Sequence, residues 1–357
     1  MLKNKCYNKL SLLIEVYYSL KKLHNREKQW LLSKSKKAIK QLHKYNRKSK
    51  HKTNNDCDKS ENKNKNEITL RAPSMFSIRK NTEETVRFFK DVTDKVANVK
   101  VNGSLFFDLH NVEVVTVDAI MYLIAIVRNM KRINAFHINC SGNMPKNPKA
   151  REIIETSGFY QYLIPVTMKK HIESTDHINI TCGNDADPIV IGNICDYIHH
   201  HSNYDRYDTK FLFTILVELM TNTKQHAYRN NSIMNNNWYI YVENHDEHIR
   251  FVFLDTGSGI PNTIKTDFWE KVKNYISNND AFFIASALKG KYRSETNEEH
   301  RGKGLPEIYD RVKDNKISDF TIVSGCGKCL INDMGAIEET QLEKDFVGTL
   351  FSWNLLK

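Results

Sequence analysis

The segment from Asp208 to Tyr228 restricts the fold of this chain more than any other stretch. Its apolar residues recur at the spacing of one buried helical face, and they are Phe211, Leu212, Ile215, Leu216 and Leu219. This spacing predicts one helix over most of the segment, with Asp208 or Thr209 as its N-cap.

Three polar residues of the same segment follow each other at intervals of four: Glu218, Asn222 and His226. On a helix, that interval places the side chains along one stripe. A carboxylate, an amide and an imidazole in a row beside an apolar face indicate the floor of a functional site.

The basic charge of the chain belongs to its first 66 residues. They contain 19 Lys and Arg against 5 Asp and Glu, whereas the whole chain contains 53 against 42. Their apolar spacing predicts basic amphipathic helices, and the polar run 48–66 predicts a disordered linker. Three functions stay open for this arm: nucleic-acid binding, contact with an anionic membrane surface, and docking on a protein partner.

Composition also bears on the compartment in which the chain works. Its seven cysteines are scattered and odd in number, which argues against a disulfide framework and favours a reducing, cytoplasmic location. The longest apolar run, Ala119 to Val127, has nine residues. Since a helix needs roughly 20 apolar residues to cross a bilayer, no transmembrane segment is expected. No signal peptide is expected either.

Residues 67–180 alternate between the patterns of strands and helices. Strands are predicted at Ser104–Leu109 and Ala135–Asn139, and helices at Asp118–Lys131 and Pro148–Ser157. Gly158 is the predicted C-cap of the second helix. This order predicts a small α/β layer with at least one parallel pair of strands.

Two stretches of this region carry a family resemblance: FFDLHNVEVVTVDAIMYLIAIVRNMK and FHINCSGNMPKNPKAREIIETSGFYQYL. They resemble a STAS domain, the fold of anti-sigma-factor antagonists. Such domains often carry a phosphorylatable Ser where a loop enters a helix. Val117 takes that position here, between Thr116 and Asp118, and it has no hydroxyl. The resemblance therefore implies a regulatory or docking module rather than a phospho-switch.

Three short glycine motifs follow the helix of the first segment. A predicted hairpin, Asn237–Leu254, runs into Asp255-Thr-Gly-Ser-Gly-Ile260, where the carboxylate can accept a hydrogen bond from an exocyclic amine and the backbone can pass close to a ring. His300-Arg-Gly-Lys-Gly-Leu305 opens a helix, and backbone N–H groups there can approach phosphate. Gly348-Thr349 lies in the last predicted strand, where the glycine permits a close approach.

The order and spacing of these motifs carry the second resemblance. The patterns E-L-x-x-N-x-x-x-H-A, D-T-G-x-G-I, R-G-x-G-L and G-T resemble the N box and the three glycine boxes of the GHKL ATPase superfamily. That superfamily includes DNA gyrase, histidine kinases and MutL. The resemblance implies an α/β sandwich of the Bergerat type over residues 185–357, with ATP and Mg²⁺ as cofactors.

The resemblance also implies roles for the polar stripe of the helix. Asn222 would supply its amide oxygen to Mg²⁺, a hard cation that prefers oxygen ligands. Glu218 would be the catalytic residue that polarises the water or hydroxyl attacking the γ-phosphate. His226 would have a supporting role.

The remaining cofactor-binding residues that the resemblance implies are Asp255, Gly257, Gly259, Arg301, Gly302, Lys303, Gly304 and Thr349. Asp255 would accept the adenine amino group, with Thr349 hydrogen-bonded nearby and the first two glycines leaving room for the base. The second glycine pair would bring backbone donors to the phosphates, and Arg301 and Lys303 would be phosphate-binding cations.

The segment between these boxes, residues 262–300, would form the ATP lid, with a helix at Asp280–Lys289. Ser294 and Thr296 are either phosphate contacts or parts of a solvated loop. Further on, Cys326 and Cys329 form a single CxxC pair, whereas a four-ligand zinc site needs two pairs. The pair is therefore predicted at a hairpin tip rather than at a metal site.

Three functions are compatible with such an ATP site. The first is a protein kinase of the anti-sigma serine-kinase type, with a protein partner as phospho-acceptor or a sigma or anti-sigma-like regulator as partner. The second is an ATPase whose lid closure drives dimerisation or partner release. The third is an ATP sensor with little turnover. A homodimer, and nucleic-acid binding through residues 1–66, stay open as further expectations.

Overall fold

The first part of the described fold alternates strands with helices. The computed structural model describes residues 67–97, 104–133, 139–159, 162, 176–205, 207–225, 237–267, 279–292, 304–332 and 334–357. The strands of the first part are β1 (Glu67–Arg71), β2 (Met75–Phe76), β3 (Ser104–Asp108), β4 (Val114–Val115) and β5 (Asn139–Gly142). Its helices are α1 (Thr82–Ala97), α2 (Val117–Ile133) and α3 (Pro148–Thr156).

The predicted parallel layer is confirmed. β1, β3 and β5 form a parallel three-stranded sheet, and β2 pairs with β4 in a second parallel pair. The strand predicted from Ser104 is present as β3, and the helices predicted from Asp118 and from Pro148 are present as α2 and α3. The observed strand β5 begins at the last residue of the predicted one, and residues 134–138 lie outside the described residues. Gly158 follows the C-cap of α3 with a φ of 90°, one residue beyond its predicted place.

The second part is built around a five-stranded antiparallel sheet. Its strands are β6 (His177–Gly183), β7 (Trp238–Asn244), β8 (His248–Asp255), β9 (Ile317–Ile331) and β10 (Ile337–Leu356). Their order in the sheet is β6-β7-β8-β10-β9, so β8 and β10 lie inside it. The helices are α4 (Pro188–His201), α5 (Lys210–Gln225), α6 (Ile260–Asp267), α7 (Asp280–Leu288) and α8 (Gly304–Lys313).

Both faces of this sheet are covered, which explains why β8 lacks a clear alternation. Phe251 and Phe253 belong to the apolar cluster beneath α4, α5, α7 and α8. Val252 and Leu254 point to the opposite face and belong to the cluster that contains the core of residues 67–127. A strand that is buried on both faces shows a continuous apolar run instead of a period of two.

The first part thus packs on one face of the five-stranded sheet, and polar contacts border this packing. The Lys328 ammonium group in β9 donates to the Arg79 carbonyl at 2.9 Å and to the Thr82 hydroxyl at 3.0 Å. The Arg79 guanidinium forms an ion pair with Asp319. Asn66–Lys357 forms one compact unit, so the predicted boundary between 67–180 and 185–357 lies inside this unit and stays a prediction.

The predicted location of the cysteine pair at a hairpin tip is wrong. β9 runs without interruption from Ile317 to Ile331, and it includes both Cys326 and Cys329. The glycine between them does not form a turn: a side chain on Gly327 would lie 2.6 Å from the Ala281 nitrogen of α7. Close packing of a helix against the strand therefore explains this glycine, and the chain reverses direction only after Ile331.

None of the helices in the described part of the chain combines the length and the apolar character of a membrane span.

Candidate functional site

Helix α5 contains two of the three residues of the predicted polar stripe. The helix covers Lys210–Gln225 and contains both Glu218 and Asn222, whose side chains are half-buried. All five apolar residues that predicted its inner face are buried: Phe211, Leu212, Ile215, Leu216 and Leu219. Thr209 immediately precedes the helix, as an N-cap would, and His226 lies outside the described residues.

Asp255 ends the central strand β8, beside helix α5. The Gly257 N–H donates to its Oδ1 at 2.8 Å, and the Thr223 side chain also forms a hydrogen bond with the carboxylate. Burial raises the pKa of Asp255 from 3.8 to about 6, although both hydrogen bonds act to lower it. The carboxylate is therefore held in one orientation as a hydrogen-bond acceptor in poorly solvated surroundings.

The raised pKa of Asp255 determines how this residue makes the stability of the fold depend on pH. In the folded protein the proton is held more tightly than in the unfolded chain, so the contribution to stability is complete below the ordinary pKa of 3.8. That contribution is lost as the pH rises through about 6. At neutral pH the ionised Asp255 thus costs folding free energy. A residue retained at such a cost is a candidate for a role in binding.

Thr349 lies directly opposite Asp255 in the pairing of β10 with β8. It also lies opposite Ser324 of β9, and the two hydroxyl oxygens are 3.1 Å apart. The Ser324 hydroxyl donates to the Gly348 carbonyl at 2.8 Å and accepts from the Ile260 N–H at 3.0 Å. Through these hydrogen bonds, Ser324 of β9 connects β10 to the first turn of α6, near Asp255.

Glycine is required where these segments meet. Gly348 has a φ of 103°, and a side chain there would lie 2.1 Å from the Asp255 carbonyl oxygen. Gly259 has a φ of 80°, and a side chain there would lie 2.8 Å from the Ser324 hydroxyl. Only glycine combines this backbone conformation with this close approach. Two of the predicted glycine motifs therefore meet where β8, β9 and β10 lie together, beside Asp255 and Ser324.

The second glycine box meets helix α5 at Glu218. A side chain on Gly304 would lie 3.0 Å from the Glu218 Cδ and 3.1 Å from its Oε2. The N-terminus of α8 therefore lies against this carboxylate, where the helix dipole stabilises negative charge. Three predicted phosphate contacts, Arg301, Gly302 and Lys303, lie outside the described residues.

The segment predicted as a lid includes most of α6 and the whole of α7, which is firmly packed. The predicted helix at 280–289 is confirmed as α7, and its residues Ala281, Phe283, Ile284, Ala285 and Leu288 are buried. The carboxylate of Asp280 accepts from Lys265 at 2.6 Å and from the Cys326 N–H at 2.8 Å. Since α7 is part of the core, any lid would be limited to the neighbouring residues. Ser294 and Thr296 lie outside the described residues.

The cysteine pair lies within β9, against helix α7. The Cys329 thiol is buried and donates to the Ala281 carbonyl at 3.4 Å. No group of three or more His, Cys, Asp or Glu side chains among the described residues could hold a metal ion. The predicted Mg²⁺ ligand Asn222 is of a different kind, since its amide would act together with phosphate oxygens.

Two residues of the site were not predicted from the sequence. Thr223 follows Asn222 on α5 and no sequence pattern distinguishes it, although it is completely buried and its side chain forms a hydrogen bond with Asp255. Ser324 belongs to none of the sequence motifs. Its position opposite Thr349 depends on the pairing of β9 with β10, and that register includes bulges that no local pattern indicates.

Comparison with known proteins gives neither a matching family model nor a matching curated relative. The function is therefore argued from the residues of the site and their geometry.

Proposed function

We propose that the chain binds ATP with Mg²⁺ between helix α5, the turn after β8, the N-terminus of α8 and the Gly348–Thr349 segment of β10. The observation that carries this proposal is the convergence on Asp255. Its carboxylate is held by Gly257 and Thr223, and Thr349 lies opposite it in the sheet. On the same helix as Thr223, Glu218 reaches the N-terminus of α8.

The Asp255 end of the site suits an adenine base. An ionised carboxylate can accept a hydrogen bond from an exocyclic amine but has nothing to donate to a carbonyl oxygen, so it distinguishes adenine from hypoxanthine. The nearby glycines keep side chains out of the space beside the carboxylate. Thr349 adds a hydroxyl at the same level of the sheet.

The Glu218 end suits the phosphates. Asn222 would hold Mg²⁺ through its amide oxygen, and the bound cation would neutralise phosphate charge. Glu218 would accept the proton of the attacking water or hydroxyl. Backbone donors from Gly302 and Gly304, with Arg301 and Lys303, would contact the phosphate oxygens at the start of α8.

We further propose that ATP serves signalling, by hydrolysis or by transfer of its γ-phosphate to a partner protein, with the STAS-like part as a regulatory module. The loop-to-helix junction where such a module would carry its phospho-acceptor, Val117–Asp118, is buried. Asp118 is 2 % exposed, its carboxylate accepts from the Ile78 and Arg79 N–H groups, and Val117 has no hydroxyl. This burial favours an acceptor on another protein. Binding of nucleic acid by residues 1–66 stays a separate prediction.

The fate of the γ-phosphate tests this function. The full-length chain is incubated with Mg²⁺ and ATP labelled at the γ-phosphate, and in parallel with ATP labelled at the α-phosphate. We expect the γ-label to leave the nucleotide, as free phosphate or on an added protein, while the α-label remains in ADP. If ATP binds but the γ-label stays in ATP, the chain is a sensor without turnover.

A further inference from the structure

The strand that carries Thr349 is irregular just before it reaches the proposed pocket. The pairing of β10 with β9 shifts register between Gln341 and Phe346, and again between Phe346 and Thr349. Bulges of this kind bend a strand and change the direction of its side chains. Here Phe346 is 2 % exposed and belongs to the apolar cluster of the STAS-like part.

Tyr122 of helix α2 holds this irregular segment in two ways. Its ring stacks on Phe346, with the centroids 4.4 Å apart and an interplanar angle of 28°. Its hydroxyl donates to the Val347 carbonyl oxygen at 3.1 Å. Phe89 of α1 also packs against the Tyr122 ring, in an edge-on arrangement with the centroids 4.7 Å apart. Tyr122 is 2 % exposed, and burial raises its pKa, so the hydroxyl keeps its proton.

The held residues lead directly into the site. Val347 is followed by Gly348, whose backbone lies against the Asp255 carbonyl, and then by Thr349, which lies opposite Asp255. The hydrogen bond from Tyr122 to the Val347 carbonyl can therefore determine the position of Gly348 and Thr349 relative to the Asp255 carboxylate. From the other side, Ser324 donates to the Gly348 carbonyl at 2.8 Å.

We propose that Tyr122 is a positioning residue for the base end of the ATP site: it fixes the Val347 carbonyl and thereby aligns Thr349 with Asp255. This inference rests on the proposed function. It gives the STAS-like part a defined physical effect on nucleotide binding, because any shift of α2 on the sheet would move the edge of the pocket. The effect is on base selectivity rather than on the phosphates, which lie at the Glu218 end.

The test is the substitution Tyr122→Phe in the full-length chain, which keeps the ring and removes only the hydroxyl. Tyr162→Phe is the matched control, since the Tyr162 hydroxyl also donates to a backbone carbonyl of the sheet, Ile180, at 2.7 Å. Affinities for ATP and for inosine triphosphate, which lacks the exocyclic amine, are measured by competition against a fluorescent ATP analogue. A lost hydrogen bond predicts an ATP-to-inosine-triphosphate affinity ratio that is roughly three- to tenfold lower in Tyr122→Phe.

The affinity ratio distinguishes a change in the position of Thr349 from a loss of folded protein, since a loss of folded protein would weaken the binding of both nucleotides equally. We expect Tyr162→Phe to keep the wild-type ratio. If Tyr122→Phe does not fold, Phe346→Leu disturbs the same contact from the β10 side, and it should lower the ratio as well. A wild-type ratio in whichever of these variants folds would overturn the inference alone. An absence of ATP binding in the wild-type chain would overturn both the inference and the proposed function.

Discussion

Replacing Glu218 by Gln is expected to slow the loss of the γ-phosphate from ATP by roughly 100-fold or more, because a general base contributes that much to such a step. ATP affinity should change little, since Gln keeps the shape of the side chain and removes only its charge and basicity. An isosteric change is needed at this position, because the Glu218 carboxylate packs directly against Gly304.

A matched control for this variant lies in the first turn of α8. Glu307→Gln makes the same chemical change close to the N-terminus of the helix, but Glu307 pairs with Arg311 on its own helix instead of belonging to the stripe on α5. Phosphate release by Glu307→Gln should match the wild-type rate. A Glu218→Gln chain that releases phosphate at the wild-type rate would remove Glu218 from the catalytic role.

Replacing Gly348 by Ala is expected to destabilise the fold and abolish nucleotide binding. The new Cβ would lie 2.1 Å from the Asp255 carbonyl oxygen, at a φ of 103°. Backbone strain together with a forced shift of a buried strand typically costs roughly 3 kcal/mol or more. Thermal unfolding followed by circular dichroism, with ATP binding measured below the transition, checks both expectations.

Gly335→Ala is the control that distinguishes the effect of an unfavourable backbone conformation from the effect of a steric clash with Asp255. Gly335 also has a positive φ, 74°, but the nearest atom to a new Cβ is the Lys313 Cγ at 3.2 Å, on a flexible side chain. This variant should lose stability only through its backbone conformation and should keep ATP binding. Equal melting temperatures and equal ATP affinities for the two variants would contradict the close approach of β10 to Asp255.

The parts of the fold that the sequence predicted are those in which one local pattern contains the whole signal. Helix α5 was predicted because its apolar face and its polar stripe lie within a single segment. The hairpin of β7 and β8 was predicted because its strands are adjacent and its turn, 245–247, is polar. The local pattern around Asp255 predicts a strand end before a glycine turn, whereas its place in the site follows only from the order and spacing of all four motifs.

The parts that were not predicted depend on contacts between distant residues. The first half of β10 is polar and mostly exposed, so its residues 337–345 show no strand period, although residues 337–341 pair with β9. Thr223 and Ser324 are common polar residues whose roles arise only when α5 and β9 are brought to Asp255. Likewise, the stacking of Tyr122 on Phe346 joins residues more than 200 positions apart, and no local signal could have indicated it.

The proposed role of Tyr122 couples helix α2 to the nucleotide site through β10. Coupling between two sites is reciprocal in free energy, so a partner that shifts α2 would change ATP affinity, and ATP would change the affinity for that partner by the same factor. Because the part built from β1–β5 and α1–α3 covers one face of the sheet and the proposed pocket lies beside α5 on the other, β10 is the element that both share.

The central claim is that the Asp255 carboxylate binds the amino group of adenine. Calorimetric titration of ATP with Mg²⁺ into the full-length chain and into Asp255→Asn tests this claim most directly. The wild-type chain should bind one ATP at pH 7.5, and more weakly as the pH falls through about 6, where Asp255 becomes protonated. In Asp255→Asn, a buried polar mismatch should weaken ATP binding by roughly 100-fold or more. Its melting temperature at pH 7.5 should be no lower than that of the wild type, because the variant removes a buried charge. Equal ATP affinity for the two chains would contradict the assignment of this site.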